Sequence, residues 1–159
     1  MSSSLTITSV ENLQSRISSE LRSMKDIPGI YVSLNKTQKS TERILGNSGV
    51  NTDKLFFIDC VTSEKKRDDV LHIAPDQLGL LCSAIRAFMN DIKGKKFLVL
   101  DALSTLLIYN NENQVVQFVR EITEYVSENS SRVIAFSPET KGEELLGQIA
   151  NFFDEVRRK

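Results

Sequence analysis

Residues 96–104 read KFLVLDALS, and this stretch decides which fold the sequence predicts. Its four apolar residues, 97–100, favour a strand, and the strand ends directly in Asp101. An apolar strand that ends in an aspartate is how many nucleotide-binding proteins hold a magnesium ion. The stretch therefore raises the question of whether the rest of the chain could hold the phosphates of a nucleotide.

Strand and helix patterns alternate on both sides of this stretch. Four more strands are predicted, at 4–10, 29–34, 54–61 and 132–137. Helix patterns separate the strands and end the chain, at 11–26, 37–45, 75–93, 111–126 and 143–159. Strands that alternate with helices favour a mostly parallel sheet that is covered on both faces. We therefore predict an α/β fold with three αβα layers and five strands or slightly more, in a single domain over 1–159.

Three local patterns refine this prediction. Thr8 and Glu11 are spaced like a capping box at the start of the first helix. The last helix, 143–159, carries a wide apolar stripe, part of which could lie against a partner: Leu145, Leu146, Ile149, Phe152, Phe153 and Val156. The segment from Leu103 to Tyr109 is more apolar than a surface loop needs, and a homodimer would hide it.

The composition disfavours several classes of protein. The 159 residues include 20 basic and 21 acidic side chains, so the net charge of −1 gives no global attraction to nucleic acid or to an anionic membrane. No run of about 18 apolar residues could span a bilayer, and the first ten residues do not resemble a secretory signal. Two cysteines, Cys60 and Cys82, are too few for a disulfide framework. We therefore expect a cytoplasmic protein.

Ligands of open parallel sheets bind at the carboxyl ends of the strands. The polar residues predicted at these ends form the candidate ligand-binding cleft: Ser9, Ser33, Asn35, Asp59, Asp101, Ser104 and Ser137. Asp101 is the candidate metal ligand, although its carboxylate could equally accept backbone N–H groups and hold the end of its strand. Asp59 could share a cation with Asp101, but an aspartate in this position more commonly caps a turn.

The turn between the first strand and the first helix reads TSVEN, residues 8–12. A phosphate needs backbone N–H groups that curl around it, which requires glycines and usually a lysine. This turn contains neither, and Glu11 would occupy the positive end of the helix dipole and repel a phosphate. The phosphate-binding part of a nucleotide site is therefore absent from this turn.

Three motifs together resemble the KaiC-like branch of the RecA-like ATPase core: IYVSLNK at 30–36, FLVLDALSTLLIYNNE at 97–112 and RVIAFSPE at 132–139. The similarity covers roughly the whole chain and implies a RecA-like fold. It also implies catalytic glutamates at the end of the first motif, where this sequence has Asn35 and Lys36. Neither of these can act as a carboxylate base. Asp101 remains at the position that holds magnesium in the family, and Ser104 remains beside it.

A fold kept without a phosphate cradle or a catalytic base leads us to expect a non-catalytic pseudo-ATPase. We expect a regulatory or sensory module that acts through a protein partner or a small ligand and needs no cofactor. One alternative is an ATPase or ATP-binding protein that holds Mg-ATP in a nonstandard phosphate site or in one completed by another subunit. A second alternative is a nucleic-acid-binding module, which the near-neutral charge disfavours.

Other chemistries have little support in the sequence. A receiver domain would need an acidic pair and a lysine where Ser9 and Ser137 stand. Cys60 and His72 could pair as nucleophile and base, but no third, orienting residue is evident. One histidine and two cysteines show no recognisable zinc-binding spacing. The mixed charges of 64–69 are typical of a solvated loop.

Overall fold

The computed structural model describes residues 3–61, 70–129, 131–139 and 143–158. Its strands are β1 (Ser3–Thr8), β2 (Gly29–Ser33), β3 (Leu55–Asp59), β4 (Leu71–His72), β5 (Phe97–Asp101), β6 (Arg132–Pro138) and β7 (Glu155–Arg158). Its α-helices are α1 (Val10–Arg22), α2 (Gln38–Asn47), α3 (Leu78–Asp91), α4 (Glu112–Glu128) and α5 (Glu143–Ile149). The described residues also form two 3₁₀ helices, Leu103–Ile108 and Ala150–Phe152.

The described strands form one parallel sheet in the order β4-β3-β2-β5-β6-β1-β7. The chain passes from β1 to β2 and later fills the gap between them with β5 and β6. Residues of α1 and α2 join the hydrophobic core on one face of the sheet, and residues of α3, α4 and α5 join the core on the other. The predicted three-layer α/β fold is therefore confirmed.

Because every strand is parallel, all strands begin at one edge of the sheet, the amino edge, and end at the other, the carboxyl edge. Successive side chains of a strand point to opposite faces. In β2, Ile30 and Val32 join the core on the α3–α5 side, and Tyr31 joins the core on the α1–α2 side. In β5 the same alternation places Phe97 on the α1–α2 side, and Asp101, four residues later, falls on that side as well.

The end of the chain differs from the prediction of one helix through 143–159. Helix α5 ends at Ile149, and the chain then forms a 3₁₀ helix and β7, which pairs with β1. Leu145 and Leu146 are buried as predicted, but Val156 is exposed on the edge strand. The physical reason is that β1 offers β7 a ladder of backbone hydrogen bonds, which the local spacing of apolar residues does not reveal.

The predicted capping of α1 and the predicted start of α3 are also wrong. Thr8 and Glu11 form no capping box, because Thr8 is the last residue of β1 and α1 begins without a side-chain cap. Helix α3 begins at Leu78, three residues after its predicted start. A capping box does form at Asn111, where the structure confirms the predicted start of α4.

Three further expectations concern membrane spans, cysteines and a charged loop. Among the described residues, no helix is long and apolar enough to cross a membrane. Cys60 and Cys82 are buried free thiols. The loop predicted at 64–69 lies outside the described residues.

Candidate functional site

The centre of the carboxyl edge contains a buried carboxylate, that of Asp101 at the end of β5. Tyr31 in the neighbouring strand β2 donates a hydrogen bond from its hydroxyl to Asp101 Oδ2, with an O–O distance of 2.5 Å. The exposed fraction is 0% for Tyr31 and 2% for Asp101. A hydrogen bond of this length to a carboxylate belongs to the stronger, charge-assisted class. The pair therefore ties β2 to β5 at this edge.

Burial is the largest influence on the pKa values of both Asp101 and Tyr31. Burial raises the pKa of the Asp101 carboxyl, while the hydrogen bond from Tyr31 and the positive charge of Lys36 both lower it and partly offset that rise. Burial also raises the pKa of the Tyr31 hydroxyl well above its usual value, and the charge of Asp101 adds to this shift. The tyrosine therefore stays protonated and remains the donor.

Two buried oxygen atoms at the carboxyl edge have no hydrogen-bond partner within the described part of the chain: Asp101 Oδ1 and Thr8 Oγ1. Thr8 ends β1, and β6 separates β1 from β5. Ile7 and Leu100, which directly precede these two residues in their strands, belong to the core on the α3–α5 side. Because successive side chains of a strand alternate between faces, Thr8 and Asp101 point to the α1–α2 side. An unpaired buried oxygen costs free energy. A ligand that donates hydrogen bonds would remove this cost.

Asn35 and Lys36, which follow β2, make contacts within the protein. Asn35 Oδ1 accepts hydrogen bonds from the Ala102 backbone N–H at 2.9 Å and from Thr105 Oγ1 at 3.3 Å. Lys36 Nζ donates to Gln14 Oε1 of α1 at 3.1 Å. The two residues therefore link the end of β2 to the segment after β5 and to α1.

Asp59, at the end of β3, caps the start of α2. Its Oδ2 accepts a hydrogen bond from the backbone N–H of Gln38 at 2.9 Å, and its Oδ1 accepts one from Val61 at 2.8 Å. β2 lies between β3 and β5, which separates those two strands by roughly 9–10 Å. Over the described ranges, no group of three or more potential metal ligands comes together. Asp59 therefore has the turn-capping role that the sequence favoured.

The predicted serines take different positions around this edge. Ser33 is fully buried beside Asp101 on the α1–α2 side, and its Oγ donates to a backbone carbonyl of the following turn at 2.5 Å. Ser104 lies largely buried in the 3₁₀ helix after Asp101. Ser9 occupies the N-cap position of α1 without a side-chain cap bond. Ser137 is fully buried in β6. It faces the α3–α5 side of the sheet, because Ala135, two residues earlier in the same strand, belongs to the core on that side.

Cys60 and His72 lie on opposite faces of the sheet. His72 Nδ1 is 4.0 Å from Asp59 Oδ2, on the α1–α2 side, whereas Cys60 joins the core on the α3–α5 side. Burial, with a smaller effect of the Asp59 charge, raises the pKa of the Cys60 thiol to about 12. A protonated thiol is a poor nucleophile, so this arrangement does not supply a nucleophile–base pair.

We predict that Cys60 in the native protein resists alkylation by iodoacetamide at about pH 8, because its thiol is buried and protonated. The same thiol should react readily once the chain is unfolded in urea. Mass spectrometry of the peptide that contains Cys60, after labelling with and without urea, measures this difference. Equal labelling in both conditions would contradict the prediction.

Sequence reasoning missed Tyr31, the partner of Asp101. Its local signal is a hydroxyl group in the otherwise aliphatic interior of β2, since a buried tyrosine hydroxyl usually finds a hydrogen-bond partner. That partner lies 70 residues further along the chain. The pairing of Tyr31 with Asp101 therefore depends on which strands are neighbours in the sheet, and the sequence of β2 does not show this.

One protein-family model matches most of the chain. The model, described as a family of unknown function, DUF7090, matches residues 16–158. The chain belongs to the DUF7090 family. The matched range includes Tyr31, Lys36 and Asp101. Comparison of this DUF7090 chain with curated proteins gives no match.

Solved structures share the fold of this DUF7090 chain. KaiC-like protein PH0186 from Pyrococcus horikoshii has a TM-score of 0.71 at 12% identity, and the match covers 98% of this chain and 69% of that one. Uncharacterized protein PH0321 from the same organism, described in complex with an unknown peptide, has a TM-score of 0.68 at 14% identity, with 99% and 76% covered. PH0250, also from that organism, has a TM-score of 0.62 at 10% identity, with 99% and 80% covered. The likeness shows a KaiC-like, RecA-like fold.

Proposed function

We propose that this chain is a non-catalytic regulatory or sensory module that binds a protein partner or a small ligand at the carboxyl edge. The observation that carries the proposal is the turn between β1 and α1. Val10, the first residue of α1, is 59% exposed, and Glu11 places a carboxylate in the first turn of the helix. A phosphate cradle needs glycines and a helix start that is free of negative charge.

The residues after β2 and β5 also support a non-catalytic role. Asn35 and Lys36 supply no carboxylate base and are engaged in contacts within the protein. Asp101 is buried, and one of its two carboxylate oxygens accepts a hydrogen bond from Tyr31. Phosphoryl transfer depends on positioning the phosphates and stabilising their charge. The residues of this edge therefore do not fit Mg-ATP in the way that the KaiC-like ATPases bind it.

Exposed apolar side chains at the carboxyl edge support a protein or peptide as the partner. Val10 follows β1, and Ile108 and Tyr109 close the 3₁₀ helix that follows β5. Ile108 is 73% exposed and Tyr109 is 51% exposed. Exposed apolar and aromatic side chains are common anchors of interfaces. The complex of PH0321 with an unknown peptide supports the same kind of occupant, and a second copy of this chain is one candidate partner.

Thermal unfolding with and without millimolar Mg-ATP, and with ATP in the absence of metal, tests the proposal. We expect the midpoint to stay unchanged. A ligand at about 100 times its dissociation constant would add about 2.7 kcal/mol of stability. In a chain of this size, each kcal/mol raises the midpoint by roughly 2–4 °C. A magnesium-dependent rise of several degrees would show that the carboxyl edge still serves a nucleotide.

One observation favours a second candidate, an ATP-binding protein or ATPase whose phosphate site is nonstandard or completed by another subunit. The buried Oδ1 of Asp101 lacks a partner among the described residues, so a bound group could satisfy it. Asp101→Ala distinguishes the two candidates, because an ATPase would lose turnover and a binding module would change in stability. Asp53→Ala, at an exposed aspartate near the amino edge, is the matched control. The net charge of −1 gives the nucleic-acid alternative no support.

A further inference from the structure

The amino edge of the sheet contains a cavity that the proposed function does not use. Its volume is about 250 Å³, and it lies between the end of α1, the connection from α2 to β3 and the start of β5. Phe97, the first residue of β5, lines the cavity. Asp101 ends the same strand, so the cavity and the carboxyl edge are about 13 Å apart. A ligand here would therefore occupy a site separate from the one proposed above.

One part of the lining of this amino-edge cavity is apolar. The apolar lining consists of Leu21, Met24, Ile27, Val50, Leu55 and Phe97. All six side chains belong to the core on the α1–α2 side or pack against it, so an apolar group in the cavity would extend that core. An apolar cavity of about 150 Å³ can hold benzene. The amino-edge cavity therefore has room for a substituted ring or a short acyl chain.

The polar lining of the cavity is mostly positive. Arg22, Lys25 and Lys54 line it together with a single carboxylate, that of Asp26. The C-terminal ends of α1 and α2 are also close, and each helix end carries about half a negative charge. The three cations exceed these negative charges by about one unit. Because the whole chain has a net charge of −1, this positive excess is a local feature.

Two hydrogen bonds hold the walls of the cavity together. Arg22 Nη1 donates to the Ser48 carbonyl oxygen at 2.8 Å, which joins the end of α1 to the end of α2. Lys54 Nζ donates to the Asp26 carbonyl oxygen at 3.1 Å, which joins the segment before β3 to the segment before β2. Walls that are already positioned lower the conformational cost of binding. Lys25, which also lines the cavity, takes part in neither of these two hydrogen bonds.

We propose that the amino-edge cavity binds a small apolar monocarboxylate, with its ring or acyl chain against Phe97 and its carboxylate among Arg22 and Lys25. The apolar lining accommodates the body of the ligand, since burial of apolar surface drives its transfer from water. The excess of one positive charge matches one carboxylate. A neutral ligand of the same shape would lack this attraction, and a cation of that shape would be repelled.

Titration of the full ¹⁵N-labelled chain with phenylacetate, followed by NMR, tests this proposal. We expect saturable shifts of the backbone amides of Val50, Leu55 and Phe97 at millimolar phenylacetate. Phenylacetamide, which has the same ring and no charge, should bind about fivefold more weakly, because it lacks the carboxylate that would pair with the exposed side chains of Arg22 and Lys25. Absence of saturable shifts at these amides, or equal affinity for the two probes, would overturn the proposal.

Variants of the cavity sharpen this test. Lys25→Gln should weaken phenylacetate binding about two- to threefold, as expected for an exposed charge. Lys39→Gln, at an exposed lysine of α2 that does not line the cavity, should leave the affinity unchanged. Equal effects of the two variants would contradict the predicted position of the carboxylate.

A cavity-filling variant and a distant variant provide two further controls. Ile27→Phe adds a ring at the half-buried wall of the cavity and should abolish the shifts, while amide signals of α4 report an intact fold. Retained binding in this variant would locate phenylacetate elsewhere and overturn the proposal. Asp101→Asn should bind phenylacetate like the unchanged chain, because the two sites are separate. Failure of the carboxyl-edge proposal is therefore distinguishable from failure of this one.

Discussion

We expect Phe97→Ala to lower the free energy of unfolding by about 3–5 kcal/mol, the range typical of a buried aromatic side chain. The ring of Phe97 is 2% exposed and belongs to the core on the α1–α2 side. Removing it deletes the contacts of the ring and enlarges the amino-edge cavity beside it. Urea denaturation at equilibrium measures the loss. A loss below about 1 kcal/mol would contradict the role of Phe97 in this core.

The close approach of Phe97 to Gly29 gives this prediction a second, sharper form. A Cβ atom added to Gly29 would lie 2.4–2.7 Å from three atoms of the Phe97 ring, so Gly29→Ala should cost about 1–3 kcal/mol. In the Phe97→Ala background the same change should cost much less, because the ring that it meets is gone. The double-mutant cycle should give a coupling of about 0.5–3 kcal/mol.

Gly46→Ala is the matched control for this cycle. Gly46 lies in α2, and an added Cβ would meet nothing within 4 Å. Alanine in a helix interior is favoured over glycine by roughly 0.5–1 kcal/mol, so this variant should be neutral or more stable. Additive effects of Gly29→Ala and Phe97→Ala would contradict the contact between the two residues.

The second large effect is expected from Tyr31→Phe, which should lower the free energy of unfolding by about 1.5–3 kcal/mol at neutral pH, the contribution of a hydrogen bond to a charged group. The change leaves the ring in the core and removes the donor to Asp101 Oδ2. Because Asp101 Oδ1 is already unpaired, neither oxygen of the buried carboxylate would then have a described partner. Tyr125→Phe, at an exposed tyrosine hydroxyl bonded to Asn90, should change stability by about 0.5 kcal/mol or less.

The loss caused by Tyr31→Phe should depend on pH. Burial raises the pKa of Asp101, so the folded chain binds this proton more tightly than the unfolded chain. Binding of this proton stabilises the folded chain to its full extent at a pH below the pKa of Asp101 in the unfolded chain. This stabilisation is lost as the pH rises through the pKa of Asp101 in the folded chain. Removing the Tyr31 hydroxyl removes an interaction that lowers the pKa of Asp101, so the folded pKa rises further and the decline extends to higher pH.

Denaturation of both chains across pH tests this linkage. The difference between the unchanged chain and Tyr31→Phe should be smallest at an acid pH below the raised pKa of Asp101, where the carboxyl is protonated in the folded state, and largest at a pH above it, where the carboxyl is charged. Asp101→Asn removes the titrating group and should remove the pH dependence that comes from it. A loss that is the same at both pH values would contradict a charged Asp101 as the acceptor.

Local patterns were sufficient to predict most elements of the fold. The spacing of Leu13, Ile17 and Leu21 predicts α1, and all three side chains are buried. The continuous apolar run at 97–100 predicts β5, which is buried along its whole length. The apolar period of a helix or a strand depends only on residues that are close along the chain, so it can be recognised from the sequence alone. The turn at 8–12 could be judged in the same way, because glycine and lysine are absent from it.

Features that depend on distant parts of the chain could not be predicted in this way. The residues after Ile149 form β7 because β1, near the other end of the chain, offers a free edge. Tyr31 meets Asp101 because β2 and β5 are neighbours in the sheet. The amino-edge cavity exists because the ends of α1 and α2 pack near the start of β5. Each of these features requires the strand order, which no local pattern contains.

By itself, the sequence determined that this chain forms a parallel α/β sheet and that the turn after β1 contains neither glycine nor lysine. Only the tertiary structure decided that Asp101 is a buried carboxylate bonded to Tyr31 and that Asp59 caps α2. The physical reason is that the period of apolar residues reports which face of an element is buried. The polar groups that meet across that face are selected by strand pairing between segments far apart in the chain.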